Sequence, residues 1–197
     1  MFPPLPYFEG PRAMILSGHA IRDAVDRGDI RIEPFDARYL GPNSYDYRLQ
    51  PELVIIEPGE DGEPRRVTIE DAGFTLEPGR LYLGATEELI GSERYAMTLL
   101  GRSSLGRLGL YLNITADLGH IGAVSNWTLE LKVVQPLVVY PRMRIGQVAF
   151  WTAMGTAAAY TGRYLNDRGP VTSRDSALSS ASTDRDPAVP PANDPSP

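Results

Sequence analysis

The chain has 197 residues, 42% of them hydrophobic and 22% charged, which suits one globular domain or one domain with a tail. It contains no cysteine, which excludes disulfides, thiolate metal sites, a cysteine nucleophile and the His/Cys zinc arrangement of common nucleobase deaminases; its two histidines, His19 and His120, are too far apart to suggest a metal cluster on their own. A formal net charge of −6 disfavours general electrostatic binding to nucleic acid, and no apolar run approaches the roughly 18–20 residues of a membrane helix.

Residues 1–13 are proline-rich and read as an extension, with the domain starting at Met14. They lack a basic start followed by an apolar core, so a cytoplasmic protein is expected, and the glycosylation patterns Asn113-Ile114-Thr115 and Asn126-Trp127-Thr128 read as chance. Ser17 is placed to cap a helix reaching about Arg27, with Ala20, Ile21, Ala24 and Val25 as its apolar stripe and Gly28 ending it. Short β-type runs separated by turn residues follow at 30–34, 44–49, 53–57, 66–69, 81–86, 95–100, 110–115, 127–134, 137–140 and 147–151, a pattern of all-β barrels or sandwiches. Residues 103–107 could supply one helical turn. From Gly169 the chain loses its large apolar residues, and disorder is expected beyond Ser176.

Two stretches could carry chemistry. Gly101-Arg-Ser-Ser-Leu-Gly-Arg-Leu-Gly109 gathers hydroxyls, guanidinium groups and backbone amides that suit a polyphosphate, but it equally reads as an ordinary polar turn. It is neither a Walker loop nor a nucleophile elbow. Lys132 is the only lysine, a bias that a GC-rich genome explains as well as arginine's fit to phosphate does. From Trp127 to Leu131 the pattern alternates, with Trp127, Leu129 and Leu131 on one face and Thr128 and Glu130 on the other. Taken alone, Glu130 is a solvated strand residue that Lys132 could pair with, His120 a surface histidine and Asp117 a turn residue.

Taken together, these residues resemble the dCTP deaminase family, the zinc-free branch of the dUTPase-like superfamily. GRSSLGRLGLYLNITA is similar to that family's GRSSLARLG signature and its strand ending in Thr-Ala, and WTLEL to the segment with the catalytic glutamate, at ungapped spacing from Gly101 to Glu130. MILSGHAI, IEPFD, NSYDYRL, LEPGRLYLGATEE, RIGQVAFW and YTGRYLNDRGPVTSR extend the likeness over about residues 14–174, leaving 175–197 as a Pro/Ser-rich tail.

The resemblance implies a mainly β, jelly-roll-like fold with a short N-terminal helix, a homotrimer with active sites between subunits, and a cytosine nucleotide bound through Mg²⁺ on its phosphates, without zinc. Glu130 would be the general base and proton shuttle, with Ser103 and Arg107 positioning water and glutamate. Arg102 and Ser104 would face the phosphates from a neighbouring subunit. Backbone around Leu112, Asn113 and Ile114 would read the pyrimidine edge, Ala116 would lie near the base, and Tyr160, Arg163 and Tyr164 would belong to a closing segment.

Four positions depart from the family pattern, one of them Arg163, which stands where a lysine is common. His120 stands where the family has the carboxylate associated with dUTPase-type hydrolysis, Leu118 where it often has arginine, and Asp167 where glutamine is common, adding an acidic group beside a triphosphate. The reaction expected is dCTP to dUTP plus ammonia, with dUTPase activity disfavoured. The alternatives are deamination of CMP, dCMP, CTP or a modified cytosine, and a non-catalytic nucleotide-binding trimer. Deleting residues 177–197 is expected to leave folding and turnover nearly unchanged, checked by thermal unfolding and steady-state rates of the truncated chain.

Overall fold

Strands are the dominant regular structure in the computed structural model, which describes residues 14–56, 64–112 and 116–174. The proposed N-terminal extension and the tail, 175–197, lie outside the described residues. The strands are β1 (Ile30–Glu33), β2 (Tyr45–Arg48), β3 (Glu52–Ile56), β4 (Arg65–Thr68), β5 (Phe74–Leu76), β6 (Leu81–Ala85), β7 (Leu89–Ser92), β8 (Tyr95–Gly101), β9 (Leu110–Leu112), β10 (Leu118–Gly119), β11 (Val124–Ser125), β12 (Thr128–Val133), β13 (Leu137–Val139) and β14 (Arg144–Thr152). Their pairings are antiparallel and form sheets ordered β4-β3-β6-β12-β9, β10-β8-β14-β2, β1-β7-β11 and β13-β5. The mainly β class expected from the sequence is therefore the one observed.

The helix α1 (Gly18–Asp26) forms where its cap and stripe place it. Ala20 N–H donates to Ser17 Oγ at 3.3 Å, Ile21 and Ala24 are buried, and Gly28 follows at φ +79°. A second short helix, α2 (Ser103–Gly106), occupies the expected turn. The core draws alternate residues from the strands: Tyr45 and Tyr47 from β2, Tyr95, Met97 and Leu99 from β8, Leu129, Leu131 and Val133 from β12, and Val148 and Phe150 from β14. Tyr47 crosses the position where a side chain on residue 146 would sit. A Cβ on Gly146 would meet the Tyr47 ring at 2.1 Å, and the ring's hydroxyl donates to Leu100 O at 3.1 Å. Burial pushes the neighbouring Tyr45 phenol up to about 12, which keeps it protonated; its oxygen accepts the Asp36 N–H at 3.1 Å.

Four strands escape the sequence pattern: β5, β7, β10 and β11. β7 is buried at all four positions, so it has no polar face to alternate with, while β10 and β11 are two residues each. β14 starts at Arg144, ahead of the expected 147, and is irregular between Arg144 and Gly146. Among the described residues no helix is long and apolar enough to cross a membrane.

One polar junction ties β2 to the β6–β7 turn. The Glu88 side chain has no exposed surface; it accepts Arg48 Nε at 2.7 Å and the Arg48 N–H at 2.9 Å. The Arg48 guanidinium lies over the Tyr39 ring, 5.2 Å from its centroid. Arg48→Ala would strand a buried carboxylate and is expected to cost about 3–5 kcal/mol, read as a lower urea midpoint; a midpoint equal to the parent's would show that the pair is dispensable.

Candidate active site

Along β12, Leu129, Leu131 and Val133 enter the core, while Thr128 and Glu130 lie half-buried on the other face. The β12–β6 register sets Glu130 across from Leu83, and the β6–β3 register sets Leu83 across from Val54. Glu130, Leu83 and Val54 thus form one row on the outer face of the five-stranded sheet. Leu83 and Val54 are only 7% and 1% exposed, yet neither belongs to the main core cluster. The carboxylate stands beside buried apolar side chains, not in a solvated polar row.

A strap, residues 153–174, crosses this face. Val171 N–H donates to Thr128 Oγ1 at 3.1 Å, Asn126 N–H donates to Asp167 O at 3.2 Å, and Pro170 between these anchors is buried. Further along, Tyr160 N–H donates to Ile121 O at 2.8 Å, and the Tyr160 ring stacks on His120 with centroids 5.2 Å apart and planes at 9°. Gly122 permits this approach: its φ is +87°, and a Cβ there would lie 2.9 Å from Ala159 Cβ.

Between sheet and strap lies a cleft of ≈ 550 Å³. Ile56, Leu81 and Leu83 give it an apolar floor, Trp127, Thr128 and Glu130 one wall, and Tyr160, Tyr164 and Val171 its cover. Ser125, Asn126, Thr172 and Ser173 add hydrogen-bonding groups. Trp127 is fixed through Nε1–H to Ile90 O at 2.8 Å. The ionisable groups lining the cleft are Glu130, Asp167, His120 and the two tyrosines; among the described residues no lysine or arginine lines it. A smaller cavity of ≈ 240 Å³ also meets the His120–Tyr160 stack and is lined by Ala96, Leu118, Ala157 and Ala158.

Of the residues singled out in the sequence, the structure brings Glu130, Ala116, Tyr160 and Tyr164 into this cleft, with Leu118, His120 and Asp167. It does not bring Arg102, Ser103, Ser104 or Arg107 there within one chain. Ser103, Ser104 and Arg107 are exposed around α2, and Arg102 is 3.7 Å from Asp46. The Leu112 side chain packs against the core, and Arg163 is exposed, its carbonyl accepting from Arg174. Asn113 and Ile114 lie outside the described residues. Sequence reasoning passed over Ser125, Asn126, Thr128 and the apolar floor. Alternation put Thr128 on the Glu130 face; the floor shows only once β6 and β3 are paired. A carboxylate sheltered by such a floor and reachable by water can act as a base and hand the proton on.

A family model described as dCTP deaminase-like matches residues 15–153. A relative named dCTP deaminase, dUMP-forming, from Hathewaya histolytica is 43% identical over 162 residues, which is 79% of this chain and 94% of the relative. A dCTP deaminase from Rhodopirellula baltica is 44% identical over 147 residues, 72% of this chain and 74% of that one. Among solved structures, the 2′-deoxycytidine 5′-triphosphate deaminase from Agrobacterium tumefaciens shares the fold, with a TM-score of 0.59 at 23% identity over 72% of this chain; the match spans 48% of that longer chain. The dUMP-forming name conflicts with the expectation of dUTP biosynthesis. That expectation took the family's default reaction, with the single position His120 weighing against diphosphate hydrolysis, a narrow basis for excluding that step.

The strap's hold on the sheet can be tested at one hydroxyl. Thr128→Val keeps the shape but removes the acceptor for Val171 N–H, worth about 1 kcal/mol. Amide exchange at Val171 is expected to rise roughly fivefold, with α1 unaffected; unchanged protection would place the anchor elsewhere.

Proposed function

The chain belongs to the dCTP deaminase-like family, and from that premise we propose that it removes the 4-amino group of a cytosine nucleotide by hydrolysis, with dCTP as the substrate. The observation that carries this reading is Glu130: a half-buried carboxylate on the outer face of β12, in a strap-covered cleft with an apolar floor. Glu130 takes a proton from water as the oxygen adds to C4 of the pyrimidine. That proton goes to N3; the proton of the hydroxyl now on C4 then passes through the carboxylate to the amino group as the C4–N bond breaks, releasing ammonia and leaving the C4 carbonyl of uracil. Cytosine and water are consumed, uracil and ammonia formed, and the carboxylate returns to its starting state.

Ser103 and Arg107 position the water and Glu130, while Arg102 and Ser104 face the phosphates. Because α2 does not line the cleft of its own chain, a second copy supplies these groups, which is the role of the proposed homotrimer. Exposed apolar side chains next to α2 support this: Leu108, Tyr111 and Val134 are 49%, 47% and 65% exposed. Mg²⁺ comes with the phosphates, whose charge it screens. Zinc independence rests on the sequence, which has no cysteine and two separated histidines. The protein acts on the nucleotide pool of the cytoplasm.

A second reading concerns the end product. The dUMP-forming names among the relatives favour loss of diphosphate after deamination. Assaying ammonia, pyrophosphate, dUTP and dUMP from dCTP separates the two. Glu130→Gln is expected to slow ammonia release by about 10²–10⁴-fold while leaving nucleotide affinity within a few-fold of the parent. Undiminished turnover in that variant would remove Glu130 from the mechanism.

A further inference from the structure

The cleft poses an electrostatic problem for an anionic ligand. Its two carboxylates, Glu130 and Asp167, face a space in which no lysine or arginine of the described residues takes part. Negative charge there repels a phosphate group, the more so under a low-dielectric cover.

Behind Asp167, at the end of the strap, sits Arg174. Its Nη2 meets Asp167 Oδ1 at 2.6 Å, and the Asp167 side chain is 15% exposed against 43% for Arg174. The same guanidinium lies over the Tyr164 ring, 5.2 Å from its centroid, and donates to the Arg163 carbonyl. The Arg174 N–H donates to the Tyr164 hydroxyl at 3.1 Å. Arg168, the nearest other cation in the chain, is directed to the main-chain carbonyls of Asn166 and Asp167, not to the carboxylate. Arg174 thus closes the strap on itself, and the group it neutralises is the one strap carboxylate that lines the cleft.

We propose that Arg174 is a positioning residue that acts through Asp167: the pair removes one negative charge from the cleft and so sets how many phosphates the bound nucleotide can carry. The inference rests on the cytosine-nucleotide reading of the cleft. It also accounts for an aspartate at a place where an acidic group beside a triphosphate is unfavourable, because the aspartate is presented as half of an ion pair. Without Arg174 the carboxylate confronts the ligand, and the penalty grows with ligand charge. Without either charge, the penalty disappears.

The test is a double-mutant cycle read against ligand charge. Dissociation constants of deoxycytidine, dCMP and dCTP are measured at fixed Mg²⁺ for the full-length parent, Arg174→Gln, Asp167→Asn and the double variant. Arg174→Gln is expected to weaken dCTP by about tenfold, dCMP less, and deoxycytidine within twofold, as one exposed charge acting over several ångströms dictates. Adding Asp167→Asn is expected to bring dCTP back to within about threefold of the parent. Equal losses for all three ligands, no loss for any, or a dCTP loss that Asp167→Asn does not repair would overturn the proposal, since a merely structural role of Arg174 moves every ligand alike. A parent chain that binds none of the three ligands would instead overturn the nucleotide reading of the cleft itself.

Discussion

Glu88 is a carboxylate with no exposed surface, and the placement of the candidate site depends on what it is bonded to. Arg48 satisfies it by backbone and side chain, which holds the end of β2 against the turn 86–88. That turn in turn fixes the start of β12. Thr86 Oγ1 donates to Glu88 O and accepts the Trp127 N–H; Thr86 N–H donates to Trp127 O; Asn126 Nδ2 donates to the carbonyls of Thr86 and Glu87. Buried ion pairs are poor net stabilisers against well-packed apolar side chains, so the value of this one lies in specificity. Side chains alternate along a strand, and a slip of one residue in β12 would drive Glu130 into the core and expel Leu129. The junction excludes that slip, because the hydrogen bonds at Thr86 fit only one register.

With the register fixed, the environment of Glu130 follows from its neighbours on the same face. Leu83 and Val54 supply the apolar surface, and the strap covers what they leave open. The cover is bonded to the sheet next to the carboxylate, through Thr128 and Asn126, and to the 120–122 loop through Tyr160. Chemistry and cover therefore share a strand. Anything that displaces β12 displaces both, while motion of the strap alone changes access to Glu130 without moving it.

Much of this was legible in the sequence wherever the signal is local. The Ser17 cap, the α1 stripe and the alternating strands needed only neighbouring residues, and WTLEL already placed Thr128 and Glu130 on one face. β7 was not legible because burial on both faces erases the alternation, and β10 and β11 are too short to have a period. The site was harder. By composition Glu130 is one more surface glutamate; only its spacing from the 101–109 stretch, read as a family resemblance, separated it from Glu52 or Glu87. The strap has no periodicity at all, and its anchors join residues 43 apart in sequence, as at Thr128 and Val171. The Arg48–Glu88 bond spans 40 residues and carries no local mark in either partner's surroundings. Asp167 illustrates the limit most clearly: in sequence it is an added negative charge, and only the folded strap shows that the charge is matched.

The division of charge across the molecule completes the picture. The cleft holds carboxylates, whereas the arginines and serines of the 101–109 stretch lie outside it, around α2 and next to Asp46. β9 is a three-residue edge paired to β12, and α2 leads into it, which leaves Arg107 exposed and outside the lining of its own chain's cleft. On the proposed reading, the base and the cations that attract its substrate meet only when one chain's 101–109 turn is set against another chain's cleft. A single chain then has a sheltered carboxylate but little to draw in a phosphate, which makes assembly a condition of binding as well as of catalysis. The ion pair at Asp167 fits the same logic. It removes one negative charge from the cleft before the phosphates are counted.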